Sequence, residues 1–552
     1  MHPSEPFPHF VDDVLAFFHE ALPARATLDG VHLHDDLLED LSRQGVDSHA
    51  RTLAGFSRRL EQIDREALSE SEQIDHRILA ATLEGLIFDI ERVRAWERSP
   101  LIYAETLGLG LAGPTYLAYA PEADRARRLV SRLRQVPRLA KSCSDNVREP
   151  AGIVVKLGLE AWRGIRTFLE RDLPRGFARL DDLHVLGDLA DASQEATEAV
   201  SACIDHFERE VAPKARASFR LGADVVEHSI RSVEGINASS ERAMELGLRW
   251  LSEAQEEFRQ TAASIEKGEP SEVWRSIKTR LLSTRGPLDG AREALDELGG
   301  YLNKQTVVGI SDGEQPLLAP APEFDRWQQA TLWAAGPFEP KPVRPRLAIA
   351  LGDASWPDDR KREHALDLNQ ATRRVLLARE ANPGRLTLWN ALRAIESKTR
   401  KSTFFASRSF RDGWSLYAQR ALLDSGYHRS EPELRLAQIA ETLVALSRLV
   451  VAIRLHADDM SVEQGVRFFK EEAYLEESTA RREAERGVFD PGYMFQALGH
   501  RLLLRLRHDI SEQQATSPSH RAFHDALLGQ GAAPIWAHRR LLLKDQETVT
   551  LD

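Results

Sequence analysis

From residue 10 to about residue 300, apolar residues return every three or four positions, a spacing that places them on one face of an α-helix and restricts this stretch to packed helices. The pattern carries its own start signals. Ser69 and Glu72 are spaced as a capping box, and Leu79, Leu83, Leu86 and Ile90 follow at helical intervals. No fixed-period repeat and no low-complexity tract points to a solenoid. Composition shifts between Gly299 and Pro357, where Pro316, Pro320, Pro322, Pro337, Pro340, Pro342 and Pro345 crowd together. The short apolar run Leu347 to Leu351 within that stretch predicts a strand. Helical spacing resumes near residue 361, with Leu443, Leu446, Val450 and Ile453 on one face. The expected organisation is therefore a helical region over 1–300, a proline-rich segment with short strands over 301–360, and a second helical region over 361–552.

A chain of 552 residues with 42% hydrophobic and 29% charged residues has ample material for a core. The formal net charge of -12 argues against generic nucleic-acid or anionic-membrane binding, which needs clustered Lys and Arg to neutralise phosphates. Cys143 and Cys203 are the only cysteines, and they lack the spacing of a metal or redox pair. The opening Met1 to Pro6 has no basic stretch leading into an apolar run, and nowhere do about eighteen apolar residues follow one another. These features lead to the expectation of a cytoplasmic protein in a reducing compartment, without membrane or nucleic-acid partners.

Several segments then carry a specific likeness. Arg411-Asp412-Gly413-Trp414-Ser415-Leu416-Tyr417-Ala418-Gln419 resembles EGWALYAE; Arg448-Leu449-Val450-Val451 leading to His456 is similar to RLVVDTGLH; and Phe523 to Gly531 is similar to FHDALLGNG. Glu483, Arg486, Pro491 and Gly492 resemble ExxRYxxxPG, and the opening around Ala26 to Ser42, Ile74-Asp75 and Trp96 to Pro100 fits as well. Together these resemble the bacterial family called domain of unknown function 885, along essentially the whole chain. The resemblance implies a mainly α fold: a large multi-helix body with a deep central channel and a small β-sheet near residues 305–352, like the thermostable carboxypeptidases and thimet-type oligopeptidases.

The same resemblance implies a zinc motif, HExxPGHH, with the first Glu of EGWALYAE as third ligand. This chain reads Arg379-Glu380-Ala381-Asn382-Pro383-Gly384-Arg385-Leu386 there, and Asp412 stands at the Glu position. Glu380, Pro383 and Gly384 match, but all three histidine positions differ. A guanidinium has no free lone pair and stays protonated, so Arg379 and Arg385 cannot bind zinc. They can pair bidentately with Glu380 and Asp412, which without zinc or arginine would be uncompensated buried carboxylates. The cluster His32-x-His34-Asp35-Asp36 is explained by the family opening, with no need for a metal.

The expectation is thus a zinc-free pseudopeptidase with no cofactor, its channel binding a small anionic molecule or a peptide through Arg379, Arg385, Asp412, Glu483 and Arg486. The alternative is a metal-independent lyase, cyclase or hydrolase acting on a carboxylate-bearing metabolite, with Glu380, Tyr417 and His456 moving protons. A third reading keeps zinc peptidase activity through a rearranged ligand set. Lys398, Arg400, Lys401, Arg408 and Arg411, interleaved with Phe404, Phe405 and Phe410, form either a solvated face or a channel entrance that attracts anions.

Overall fold

The structure, a computed structural model, describes residues 5–282, 286–305, 307–309, 314–353, 355–514, 518–544 and 549–551. It is mainly α-helical with one small sheet. The sequence signals act locally as expected. Ser69 Oγ accepts from the Glu72 backbone N–H while the Glu72 carboxylate accepts from the Ser69 N–H, and the helix Glu70–Phe88 starts there. Leu79 and Leu83 face inward from it, and each such burial removes about 1.5–3 kcal/mol of unfavourable hydration.

The helix Pro432–Ala457 runs through the middle of the second half. Among the described residues it alone is long and apolar enough to cross a membrane, yet 94% of its most apolar stretch is buried inside the protein. That identifies a core helix, packed against the helices Ser240–Ile265, Gln370–Glu380 and Glu477–Phe489. Leu443, Leu446, Val450 and Ile453 are all buried along it. The largest apolar core draws residues from Phe7 to Leu551, and a second core is built mostly from residues 38–215.

The proline-rich segment supplies three strands: β1 (Leu317–Pro320), β2 (Ala330–Trp333) and β3 (Arg346–Ile349). β3 lies in the centre, parallel to β1 and antiparallel to β2, with Leu317 opposite Arg346 and Ala330 opposite Ile349. The sheet lies within the expected stretch 305–352, of which residues 306 and 310–313 lie outside the described residues. Leu347 and Ile349 pack on Leu376 and Leu377 of the helix Gln370–Glu380. This contact sets the turn before β2, which holds Gln328 and Gln329, beside the end of the helix that carries Arg379 and Glu380.

Candidate functional site

The helix Gln370–Glu380 begins where Asn369 Oδ1 accepts from the backbone N–H groups of Ala371 and Thr372, and it ends at Glu380. The chain then turns through a cis Asn382–Pro383 bond and starts the helix Arg385–Leu392. A Cβ on Gly384 would run into the Arg379 carbonyl, so only glycine allows the turn to be this tight. The tightness brings Arg379, Glu380 and Arg385 together. Trp414 Nε1 donates to the Gly384 carbonyl at 3.0 Å, tying this turn to the helix Arg408–Asp424. That helix is placed in turn by its crossing with Phe495–Gln513, where Gly413 and Gly499 let the two backbones touch.

Glu380 lies between two guanidiniums. Arg379 Nε donates to its Oε1 and Arg385 Nε to its Oε2, both at 3.0 Å. Arg379 Nη1 also pairs with Glu441, and Arg385 Nη1 donates to Asp412 Oδ1 at 3.1 Å. Arg411 holds Asp412 through Nε at 3.1 Å, and Arg408 Nε lies 3.7 Å from its other oxygen. Asp490 receives Arg408 Nη2 at 2.7 Å and Arg486 Nη2 at 2.8 Å, while Arg448 forks onto Glu483 at 2.8 and 2.7 Å. Burial alone would raise the pKa of Asp412, but Arg411, Arg385 and Arg408 hold it well below the ordinary carboxylate range. Glu483 behaves likewise: burial pushes it up, Arg448 outweighs that, and the net value falls to about 2.

These groups wall a cavity of about 130 Å³. Six arginines (379, 385, 408, 411, 448 and 486) face it against three carboxylates, Glu380, Asp412 and Asp490. Gln328, Gln329, Gln496 and Tyr493 complete the wall, which is therefore polar and cationic. Arg408 Nε is buried with no hydrogen-bond partner among the described residues. Such a surface stabilises negative charge, because fixed donors in a confined space need no reorganisation to meet it. A second chamber of about 600 Å³ shares Gln328, Arg408, Arg411, Arg486 and Asp490 with the first, so the two adjoin.

Among the residues expected from the sequence, Arg379, Glu380, Arg385, Asp412 and Arg486 line the small cavity, and Glu483 stands behind it through Arg448. Tyr417 and His456 do not line it. The Nδ1 of His524 donates to the Val307 carbonyl at 2.8 Å, so its Nε2 accepts from the Tyr417 hydroxyl at 3.1 Å, and Tyr417 also receives Arg507. His456 Nε2 donates to the Gly487 carbonyl at 2.8 Å, and burial lowers its pKa to about 4. Of the basic run, Arg408 and Arg411 face the cavity, whereas Lys398 pairs with Asp12 at the surface and Arg400 with Asp75. His32 bridges Asp35 at 3.0 Å and Glu339 at 2.7 Å; burial opposes its charge, but these two carboxylates raise its pKa to about 9. It is a charged clamp. Among the described residues no group of three or more His, Cys, Asp or Glu side chains is placed to hold a metal ion.

Sequence reasoning missed Glu441, Asp490, Arg25, Glu105 and Asp325. Glu441 left a trace as the single charge between Leu436 and Ser447, and Glu105 as the single charge in the run Leu101 to Gly113. A charge isolated in an apolar stretch has to find a partner or a cavity when the stretch is buried.

The family profile described as a bacterial protein of unknown function, DUF885, matches residues 23–540. The chain belongs to this family. Two solved structures share the fold of this DUF885 member. One, described as a candidate lipoprotein from Colwellia psychrerythraea, is 16% identical with a TM-score of 0.81 and covers 98% of both chains. The other, described as a candidate lipoprotein of unknown function from Shewanella oneidensis, is 20% identical with a TM-score of 0.75 over 98% of this chain and 100% of its own. No curated protein matches the chain. Those descriptions overturn the cytoplasmic expectation: the fold is shared with proteins described as lipoproteins, so it gives no cytoplasmic placement. Residues 1–4, which open the stretch behind that expectation, lie outside the described residues.

Proposed function

We propose that this chain is a zinc-free member of a zinc-peptidase-like family, and that its arginine-lined cavity binds a small carboxylate- or phosphate-bearing molecule, or the anionic end of a peptide. The observation that carries the reading is six guanidiniums around one confined space whose pairing carboxylates, Glu380, Asp412, Asp490, Glu441 and Glu483, number five and leave positive charge in excess. Zinc does not fit the residues present. Arg379 and Arg385 offer no lone pair, and both oxygens of Glu380 are already engaged by guanidiniums. In this reading two monocations have taken the place of one dication beside Glu380 and Asp412, keeping the local charge roughly constant.

The saturation of Arg379 and Arg385 favours binding over catalysis at Glu380, since both oxygens of its carboxylate are already engaged by guanidiniums. Isothermal titration of the full chain with inorganic phosphate and succinate at low salt tests the proposal. Saturable binding that weakens at least tenfold in Arg411→Gln is expected; Asp412 keeps Arg385 in that variant, so the fold is retained. Absence of saturable binding by either anion defeats the proposal, and so does stoichiometric zinc mapped to this cavity.

A second reading, a metal-independent enzyme on a carboxylate-bearing metabolite, finds support in the adjoining chamber rather than at Glu380, Tyr417 and His456. Burial pushes Glu105 and Asp325 up to about 7 there, the range in which a carboxyl both gives and takes a proton at neutral pH. On this reading Glu105→Gln and Asp325→Asn each abolish conversion of a bound carboxylate followed by proton NMR; conversion unchanged in both variants removes it.

A further inference from the structure

The chamber of about 600 Å³ adjoins a third, of about 630 Å³, with Arg25, Glu105, Leu109 and Phe489 common to both walls. The adjoining chambers thus pass from cationic to apolar walls. The third chamber is walled mainly by apolar side chains, among them Phe17, Leu53, Ile90, Trp96, Ile102 and Phe219. Its size and lining are those of a site that encloses an organic ligand. Two of its walls are π-helical turns, Asp89–Val93 and Ser229–Val233, joined just before they begin by the stacked rings of Phe88 and His228 at 3.8 Å. Such turns recur where a helix is distorted to make room for function.

Arg25 stands at the junction. Its guanidinium lies over the Phe404 ring, 4.8 Å from the centroid, and no carboxylate among the described residues forms an ion pair with it. Burial lowers its pKa, Asp29 counters that in part, and the nearby charge of Arg411 lowers it further. Arg25 and Arg411 thus line one chamber, Arg411 paired with Asp412 and Arg25 without an ion-pair partner among the described residues, an arrangement that an incoming anion relieves.

We propose that the ligand is an aliphatic carboxylate, its head held between Arg25 and Arg411 and its chain lying in the chamber walled by Leu53, Ile90, Ile102 and Phe219. This rests on the anion-binding reading above and adds the identity of the rest of the molecule. An acyl chain suits this chamber better than a peptide, because the wall is built largely from helices whose backbone groups are spent within the helix and leave few partners for peptide N–H and C=O groups. Three acids stand on its wall, and burial raises Glu39 and Asp89 to about 6 and Glu105 to about 7, so their repulsion of an anionic head falls away as the pH drops through this range.

Calorimetric titration of the full chain with acetate, hexanoate, decanoate and decanol tests this, alongside inorganic phosphate. Each methylene moved from water into an apolar wall is worth roughly a fourfold gain in affinity, so decanoate should bind at least tenfold tighter than hexanoate. It should also bind at least tenfold tighter than decanol. Arg25→Gln should weaken decanoate at least tenfold, and Ile102→Trp, which fills the apolar chamber, should weaken decanoate while leaving phosphate unchanged. If Ile102→Trp does not fold, a decanoate analogue bearing a diazirine near its methyl end should label residues 90–109 or 218–229 of the parent chain. Equal affinity for acetate and decanoate overturns the acyl assignment and leaves the anion pocket standing; equal affinity for decanol and decanoate overturns head recognition. Tighter binding of an apolar tripeptide than of decanoate transfers the site to peptides. Failure of phosphate, succinate and every carboxylate to bind overturns both proposals.

Discussion

Replacing Arg385 with leucine should lower the melting temperature by about 2–3 °C, and adding Glu380→Gln to that variant should recover at least half of the loss. Arg385 supplies the only donor to Glu380 Oε2 among the described residues, while Arg379 remains on Oε1. Breaking a buried ion pair from one side costs about 3–5 kcal/mol, and the surviving contact puts this case near 3 kcal/mol. An unfolding entropy of about 2.1 cal/mol/K per residue over 552 residues gives about 1.2 kcal/mol/K, which converts 3 kcal/mol into the shift stated. A smaller cooperative unit would make the shift larger. Asp412 keeps Arg411 in the variant, so the loss reports on Glu380. Glu380→Gln alone should cost less, because Arg379 keeps Glu441 and Arg385 keeps Asp412. Scanning calorimetry of the parent, the two single variants and the double variant completes the cycle. If Arg385→Leu melts with the parent, or the double variant melts at the sum of the two losses, Glu380 and Arg385 are not coupled and the replacement logic fails.

Stability should fall on both sides of neutrality in melting curves recorded against pH. His456 and Glu483 have folded pKa values below their unfolded ones, at about 4 and about 2, so their contributions are present above about 6.5 and 4.5 and are lost as the pH falls through the folded values. His32 works in the opposite sense: raised to about 9, it stabilises fully below about 6.5 and loses this as pH rises through 9. Gly413→Ala should cost about 1–3 kcal/mol, or about 1–3 °C, because its Cβ enters the Gly499 backbone; an unchanged melting temperature would show that the helix crossing yields. On the proposed reading, the triple variant Arg379→His, Arg385→His and Asp412→Glu recreates the donor set that the motif resemblance implies and should acquire close to one zinc per chain by elemental analysis, where the parent acquires none. A triple variant that folds without zinc breaks the proposed correspondence of positions.

Much of the fold was legible before any coordinates. The capping box at Ser69, the inward face of Leu79 and Leu83, and the buried stripe of Pro432–Ala457 follow from local spacing, because a helix converts sequence interval directly into direction. The strand at residue 347 was legible from its apolar run, whereas its partners were not, since β1 and β2 meet it only through long-range pairing. The arginines at 379 and 385 and the acids they face were legible from the family motifs. The exclusion of Tyr417 and His456 from the cavity was not, because each is held by a residue distant in sequence or by a backbone carbonyl that no motif records.

What the sequence determined by itself is the helical class, the family and the presence of arginines at 379 and 385 beside Glu380, all properties of residue type and near-neighbour spacing. What the tertiary structure decided is which charges meet. Glu441, Asp490, Arg408 and Arg25 are scattered over more than 400 residues and come to one interior only when the helices pack. Charge pairing and cavity shape depend on distances in space, which the chain fixes through packing contacts that no short stretch of sequence contains.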